Sequence, residues 1–257
     1  MRPSSPTRFE IDVSVIVTFH HERLLAHWML DRFARVRAHA EHQGLRVEMV
    51  CVLDTADAET ARIVTEHATL RPADRVLRVA HGDQAMSRND GVAHAHGRYL
   101  AIVDGDDYYS EAWLTFAYAR ARTLADRAVV HPEYVVSFGT VHSLMRVIDQ
   151  ERDSYPLANC LTGHPWVSTA FAPAAIFRAI PYQARNIQIG FGYEDWHWNL
   201  EVLAAGYRHV TALGTALYYR RKAVSTLTQD TQRGVTVRPS GFFRAPDLWA
   251  TWAGEDA

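Results

Sequence analysis

The sequence predicts an α/β protein with a mostly parallel central sheet, helices on both of its faces, and a smaller mixed part behind it. Three observations carry this. Short apolar runs rich in Val and Ile alternate with helix-period segments through the first half of the chain. That alternation implies right-handed crossovers between parallel strands. Polar clusters (residues 18–22, Asp54 and residues 104–107) stand directly after three of the runs, at the carboxyl ends where open α/β sheets bind ligands.

Residues 11–19 (IDVSVIVTF) form the first strand, β-branched and too short for a long helix. Residues 22–42 follow as a helix, with Leu25, Trp28, Met29, Phe33 and Val36 at helical spacing and Gly44 as its stop. Residues 46–53 (RVEMVCVL) form the second strand. Asp57 caps a shorter helix that turns Ile63 and Val64 inward. A third strand spans 75–80, a loop 81–84, and a helix 87–96 with Ser87 as its cap and Gly97 at its end. The fourth strand, 98–103 (RYLAIV), runs into Asp104-Gly105-Asp106-Asp107. Ser110 then caps a helix whose face is Trp113, Leu114, Ala117, Tyr118 and Ala121.

The remainder is less regular. Residues 129–138 and 141–148 read as an antiparallel pair, 149–156 as a polar turn and 172–180 as a short helix. Residues 195–205 form a helix on which Trp196, Leu200, Leu203 and Ala204 share a face, with Gly206 at the stop. Two apolar runs, 208–213 and 216–219, come next. From about Thr228 the chain reads as a tail whose Phe242, Phe243, Trp249 and Trp252 are expected to cover the core. The division expected is a flexible stretch 1–9, a ligand-binding half 10–125, a second half 126–225 and the tail 226–257.

Composition narrows the function. With 257 residues, 48% apolar and 22% charged, the chain has the makings of a real core. A net charge of −2 argues against a nucleic-acid coat, which needs a basic excess. Two cysteines exclude a disulfide scaffold or a zinc cluster built on CxxC pairs. Residues 1–8 are polar, with Pro3 and Pro6 and no apolar signal core, and no run approaches a membrane span. The expectation is a soluble, cytoplasmic protein. Fourteen histidines invite a metal hypothesis, yet no pair has convincing zinc spacing with an acidic partner.

Four clusters are rich in chemistry. Asp104-Gly105-Asp106-Asp107 crowds like charges at a strand end, a conflict that a divalent cation removes; hard oxygen ligands select Mg²⁺, Mn²⁺ or Ca²⁺. The EF-hand reading fails, because Tyr109 stands where its Gly is required and Thr115 where its Glu is required. A turn with an Asp cap accommodates the same residues. Glu194 and Asp195 follow a Gly-rich loop and precede Trp196. They suit a first helical turn, and equally a pocket rim that holds a sugar and deprotonates its hydroxyl. Residues 86–91 (MSRNDG) open a helix, with Arg88 placed for an anion such as a diphosphate. Residues 218–222 (YYRRK) serve either as a solvated edge or to neutralise a departing phosphate. No P-loop, GxGxxG after the first strand or GxSxG elbow is present.

Taken together, residues 11–25, 50–57, 87–109, 192–206 and 218–225 stand in the order and rough spacing of family-2 glycosyltransferases. The strongest block runs from Ser87-Arg88-Asn89 through Gly91, Gly97, Tyr99 and Leu100 to residues 104–107, followed by Glu194-Asp195-Trp196. Over residues 10–225 the sequence resembles that family, which implies the GT-A, Rossmann-like fold. By the same resemblance, residues 10–125 bind a nucleotide-sugar and residues 126–225 bind the acceptor and carry catalysis.

The resemblance implies an inverting enzyme that uses a UDP-, GDP- or dTDP-sugar with Mn²⁺ or Mg²⁺. Thr18, His20, Glu22 and Asp54 would contact the donor, together with Arg88, Gly105 and Arg220. Asp104 and Asp106 would hold the metal, Asp195 would be the catalytic base, and Glu194 would position the acceptor alongside Trp196 and Trp166. The acceptor would be a carbohydrate or a lipid-linked glycan in surface polysaccharide synthesis, with room for peripheral contact at the inner face of a membrane. Two departures stand out: Thr18-Phe19-His20-His21 replaces the usual Pro-x-Tyr-Asn, and Asp54-Thr55-Ala56-Asp57 replaces Asp-Asp-Gly-Ser. They leave the base and the sugar open. The alternatives weighed are a nucleotidyltransferase, which normally carries a Gly-rich basic loop after its first strand, and a non-catalytic binding module on the same fold.

Overall fold

The computed structural model describes residues 10–222 and 234–244. Four parallel strands form one flank of the sheet: β1 (Val13–Phe19), β2 (Val47–Asp54), β3 (Arg75–Val79) and β4 (Tyr99–Asp104), in the order β3-β2-β1-β4. Between them run α1 (Leu24–His42), α2 (Ala58–Thr65) and α3 (Gln84–His94). The other flank is mixed. The strand β8 (Ala170–Pro173) pairs antiparallel with β4 and with β6 (Ala128–Gly139). Next to β6 lies β10 (Arg208–Arg221), parallel to it, and β10 also takes the two-residue β5 (Tyr108–Tyr109) antiparallel. The antiparallel hairpin expected for residues 129–148 is present as β6 with β7 (Ser143–Arg146). A strand of the second half thus lies directly against a strand of the first.

The core lies on both faces of the sheet. Alternate residues of β1 point to opposite sides: Val13, Val15, Val17 and Phe19 pack with Met29, Leu30 and Phe33 of α1, whereas Ile16 packs with Val50, Val52 and Val92 on the α3 side. There α3 approaches closely, since a Cβ on Gly91 would lie 2.3 Å from Ile16 Cγ2. The first face also takes Trp113 and Leu114 of α4 (Trp113–Thr123). The second takes Ile176 and Phe177 of α5 (Ala174–Ala179), and Trp198 and Val202 of α6 (Glu194–Ala204). No helix among the described residues is long and apolar enough to cross a membrane.

Several sequence expectations change. Trp28, placed on the inner face of α1 by its spacing, is 47% exposed. The cap of α3 is Asp83, whose carboxylate accepts the Met86 N–H, so the helix begins before Ser87. Ser110 does not cap α4; its hydroxyl accepts the Ala216 N–H and ties β5 to β10. The predicted helix 172–180 begins as strand, because Ala172 and Pro173 complete β8. The two runs 208–213 and 216–219 are one strand, interrupted by an irregularity between Ala212 and Ala216. On α6, Ala204 is exposed, and Trp198 and Val202 supply the second buried side. In the tail, Phe242 is buried as expected, and β11 (Thr236–Val237) pairs with β9 (Phe191–Gly192) just before α6. Residues 1–9 and the tryptophans 249 and 252 lie outside the described residues.

Candidate active site

An open pocket of about 640 Å³ lies at the carboxyl ends of β1, β2 and β4, closed on its far side by the end of β10 and the start of α6. Parallel register explains the convergence: Thr18 stands level with Val52 and with Asp104, so the residues that follow each strand emerge on one edge. Thr18, His20, Glu22, Asp54, Arg88, Asp104, Gly105, Asp106, Glu194, Asp195 and Arg220 all line this pocket.

The two tryptophans do not. Trp166 is buried, stacks on the His209 ring at 4.0 Å and donates its indole N–H to the Ile148 carbonyl (3.0 Å). Trp196 packs against the main core and donates its indole N–H to the Cys160 carbonyl (2.9 Å). Both anchor the surrounding chain by their indole N–H groups, outside the pocket lining. Aromatic rings that do line the pocket are those of Phe19, Tyr219 and Tyr193, the last held with positive φ at the start of α6.

Asp54 binds protein donors through both oxygens. Oδ1 accepts the N–H groups of His81 (2.8 Å) and Gly82 (2.9 Å), and Oδ2 accepts the Asp83 N–H (3.0 Å) and the Ser87 hydroxyl (2.8 Å). Burial alone would raise its pKa; these bonds outweigh it and hold the carboxyl below its usual range. Asp54 therefore shapes the pocket rim through the loop it gathers. His20 bonds through Nδ1 to the Asp54 carbonyl, and its ring lies 3.7 Å from that of His21 at the pocket mouth. Thr55 holds a positive φ of 47°, an uncommon conformation for a β-branched residue.

The acidic strand end divides its labour. Asp104 accepts bonds from the Gln84 amide (2.7 Å), the Arg88 guanidinium (3.2 Å) and the Ser168 hydroxyl (2.9 Å). Asp106 places Oδ2 2.6 Å from the Lys222 ammonium. Burial pushes the Asp106 carboxyl up despite that ammonium, and Asp104 adds to the rise. Asp107 turns away from the pocket, accepts the Arg220 N–H (3.0 Å), and its buried Oδ2 has no partner. Glu22, also pushed up by burial, lies near Asp106 and Lys222. Arg220 lies over the rings of Phe138 (4.6 Å) and Tyr108 (5.5 Å) and donates to the Tyr108 hydroxyl.

Arg88 links the two acidic motifs. It is 1% exposed, with one Nη 3.2 Å from Asp104 and the other 3.1 Å from Glu194. Its guanidinium also lies 5.3 Å from the centre of the Tyr182 ring. Both charged ends are thus committed to carboxylates, and Arg88 acts as a strut. Burial pushes the Glu194 carboxyl up to about 7 and Arg88 opposes it. Burial also raises Asp195, which stands in the first turn of α6 and accepts its neighbour's Trp196 N–H (2.8 Å). Sequence reasoning missed Gln84, Ser168 and Arg185, all of which line the pocket. Gln84 and Ser168 are neutral side chains in a helix start and an irregular loop, and Arg185 is a single cation in another loop, so none leaves a periodic signal.

The donor set at Asp104 and Asp106 fits a hard divalent cation. Asp106 pairs Oδ2 with Lys222, and its Oδ1 accepts no hydrogen bond among the described residues, so one carboxylate oxygen stays available there. No cluster of three or more potential protein ligands occurs among those residues. A cation here would complete its coordination from phosphate oxygens and water, as Mg²⁺ commonly does.

A sheet that is parallel on one flank and mixed on the other, with helices on both faces and an acidic pocket at its strand ends, is an arrangement of the GT-A type. The profile of glycosyl transferase family 2 matches residues 14–180, and the chain belongs to that family. Among curated proteins it is similar to the uncharacterized glycosyltransferase EpsJ of Bacillus subtilis (strain 168), 35% identical over 66 residues. That match covers 26% of this chain and 19% of EpsJ. Among solved structures it resembles residues 1–349 of S. aureus TarS in complex with UDP-GlcNAc, at a TM-score of 0.64 and 17% identity, over 91% of this chain and 64% of that one. The UDP complex of the same TarS fragment gives 0.62 and 18%, over 82% and 61%. The chain spans less than two thirds of the length of each of these relatives.

Proposed function

We propose that this protein is an inverting glycosyltransferase that moves a sugar from a nucleotide-diphosphate sugar to an acceptor hydroxyl by direct displacement. The observation that carries the reading is that Arg88 joins Asp104 to Glu194, fixing the acidic strand end and the Glu194–Asp195 pair across one pocket. The TarS structures that share the fold hold UDP-GlcNAc and UDP, which supports a nucleotide-sugar as donor. Acceptors of the carbohydrate or lipid-linked class, in polysaccharide or glycan synthesis on the cytoplasmic side, complete the proposal.

The steps follow from this chain's own groups. Asp195 takes the proton of the acceptor hydroxyl as that oxygen attacks the anomeric carbon; the bond from that carbon to the diphosphate oxygen breaks, its electron pair leaves with the diphosphate, and the configuration inverts. Burial raises the basicity of Asp195 towards what proton removal near neutral pH needs. Arg220 and Lys222 place positive charge along the donor side of the pocket. Asp104 and Asp106 would hold Mn²⁺ or Mg²⁺, which when bound supplies Lewis-acid stabilisation of the diphosphate's charge.

The decisive variant is Asp195→Asn. Release of nucleoside diphosphate from a panel of UDP-, GDP- and dTDP-sugars, assayed with Mn²⁺ and candidate acceptors, is expected to fall by about 10²–10⁴-fold in the variant. Calorimetric binding of the donor is expected to persist. Retention of most of the activity would overturn Asp195 as the base, and donor binding by the unaltered protein without any turnover would mark a binding module.

A further inference from the structure

A loop residue outside the acidic motifs meets Asp195 from behind. His164 lies between a 3₁₀ turn (Leu157–Leu161) and β8, with its side chain only 18% exposed. Its ring is parallel to the Trp196 indole, 6° off plane at a centroid distance of 6.0 Å. Nε2 stands 2.7 Å from the Asn199 amide nitrogen, and Nδ1 stands 3.8 Å from Asp195 Oδ2. Asp195, Trp196 and Asn199 belong to the first turns of α6, so one helix presents all three to one imidazole. The indole N–H of Trp196 on the Cys160 carbonyl fastens the loop to that helix.

The bonding decides which nitrogen carries the proton. With the Asn199 amide NH₂ turned towards the ring, Nε2 accepts, and the single proton of a neutral imidazole sits on Nδ1. That N–H faces the Asp195 carboxylate. The opposite assignment would turn a lone pair towards a carboxylate, which is repulsive. Burial, which holds the His164 imidazole down at about 3, keeps the ring neutral across the physiological range. Oδ1 of Asp195 is held by the Trp196 N–H, and Oδ2 is faced by His164 Nδ1. At 3.8 Å the second contact is longer than a hydrogen bond, and such contacts commonly tighten when substrate fills a site.

We propose that His164 is a positioning residue for Asp195: through Nδ1–H, in a tautomer set by Asn199, it fixes the orientation of the carboxylate that receives the acceptor proton. The proposal rests on Asp195 being the base, as proposed above.

The test compares His164→Asn, His164→Gln and His164→Leu, with Asp195→Asn as reference, using whichever sugar nucleotide of the panel turns over fastest. Asparagine places its amide nitrogen where Nδ1 was, and glutamine places it where Nε2 was. We expect His164→Leu and His164→Gln to lower kcat by roughly 10²-fold with donor KM unchanged, the scale of a misplaced reacting group. His164→Asn is expected to stay within about threefold of the unaltered protein, since it keeps the N–H in place. His164→Leu added to Asp195→Asn is expected to cost nothing more, as the two act as a unit. Thermal melts and donor binding verify that the variants are folded; should the leucine variant not fold, the asparagine–glutamine comparison carries the test. Wild-type kcat in the glutamine variant, equal losses in the asparagine and glutamine variants, or multiplying losses in the double variant would overturn the role of His164. High activity in Asp195→Asn would instead remove the base assignment, and this proposal with it.

Discussion

At the residue scale, the site depends on charges that have protein partners before any ligand arrives. Asp54 shows this most clearly, since it receives three backbone N–H groups and a hydroxyl. Asp54→Ala would strip the acceptor from four donors, the Ser87 hydroxyl buried and the three N–H groups part-buried at the pocket rim. Each unsatisfied buried group costs about 1–3 kcal/mol, partly recovered where water enters, so a loss of roughly 3–5 kcal/mol is expected in urea unfolding. Asp54→Asn keeps one acceptor oxygen and should lose less. A change within about 0.5 kcal/mol for the alanine variant would show that the loop 81–87 does not depend on this carboxylate. The acidic residues themselves were legible in the sequence, because carboxylates crowded after an apolar run have few structural uses. The orientation of an indole is not legible. Trp166 and Trp196 are aromatic residues near the second acidic motif, and only the surrounding chain turns them into the core.

At the element scale, strands with strong apolar character were readable and the short or mixed ones were not. The runs ending at Phe19, Asp54 and Asp104 are almost entirely buried, and hydrophobicity marks them without help from periodicity. Only four residues long and continuous with α5, β8 carries no period of its own. The start of α3 was misplaced because Ser87 has the chemistry of a cap, yet its hydroxyl serves Asp54 and the cap is Asp83. The seating of α3 has a measurable consequence. Gly91→Ala would drive a methyl group into Ile16 Cγ2, and overpacking of this kind typically costs about 1–3 kcal/mol. Because Arg88 lies one turn earlier on the same helix, a fall in kcat is expected together with the lower Tm. A variant with unchanged melting would show that the helix shifts freely against β1.

At the scale of the molecule, one sheet carries both sides of the pocket: β1, β2 and β4 bring Thr18, Asp54 and Asp104, and β10 with the residue after it brings Arg220 and Lys222. A nucleotide that bridges these walls binds the native state and not the unfolded chain, so it stabilises by mass action. UDP with Mn²⁺ at a hundred times its dissociation constant should add about 2.7 kcal/mol and raise Tm by several degrees. Removing the metal with EDTA should shrink the shift, and a Tm unmoved by UDP, GDP and dTDP alike would count against a nucleotide site. Fold class and the chemical edge of the sheet were accessible from sequence because both follow from local pattern. The joining of the halves through β8 was not, since a strand that reverses the direction of the sheet leaves no local trace.

The pairing of β11 with β9 bears on how the protein comes into being. The Thr236 N–H donates to the Gly190 carbonyl, and the two strands lie in parallel register immediately before Glu194. A parallel pair between segments far apart in sequence closes a long loop, a contact that forms late and slowly. During synthesis the strands β1, β2 and β4 emerge before α6. The backbone ahead of Asp195 gains its last fastening only when residues 236–237 leave the ribosome. Chains interrupted before that point would lack the pairing that fastens the backbone ahead of Asp195.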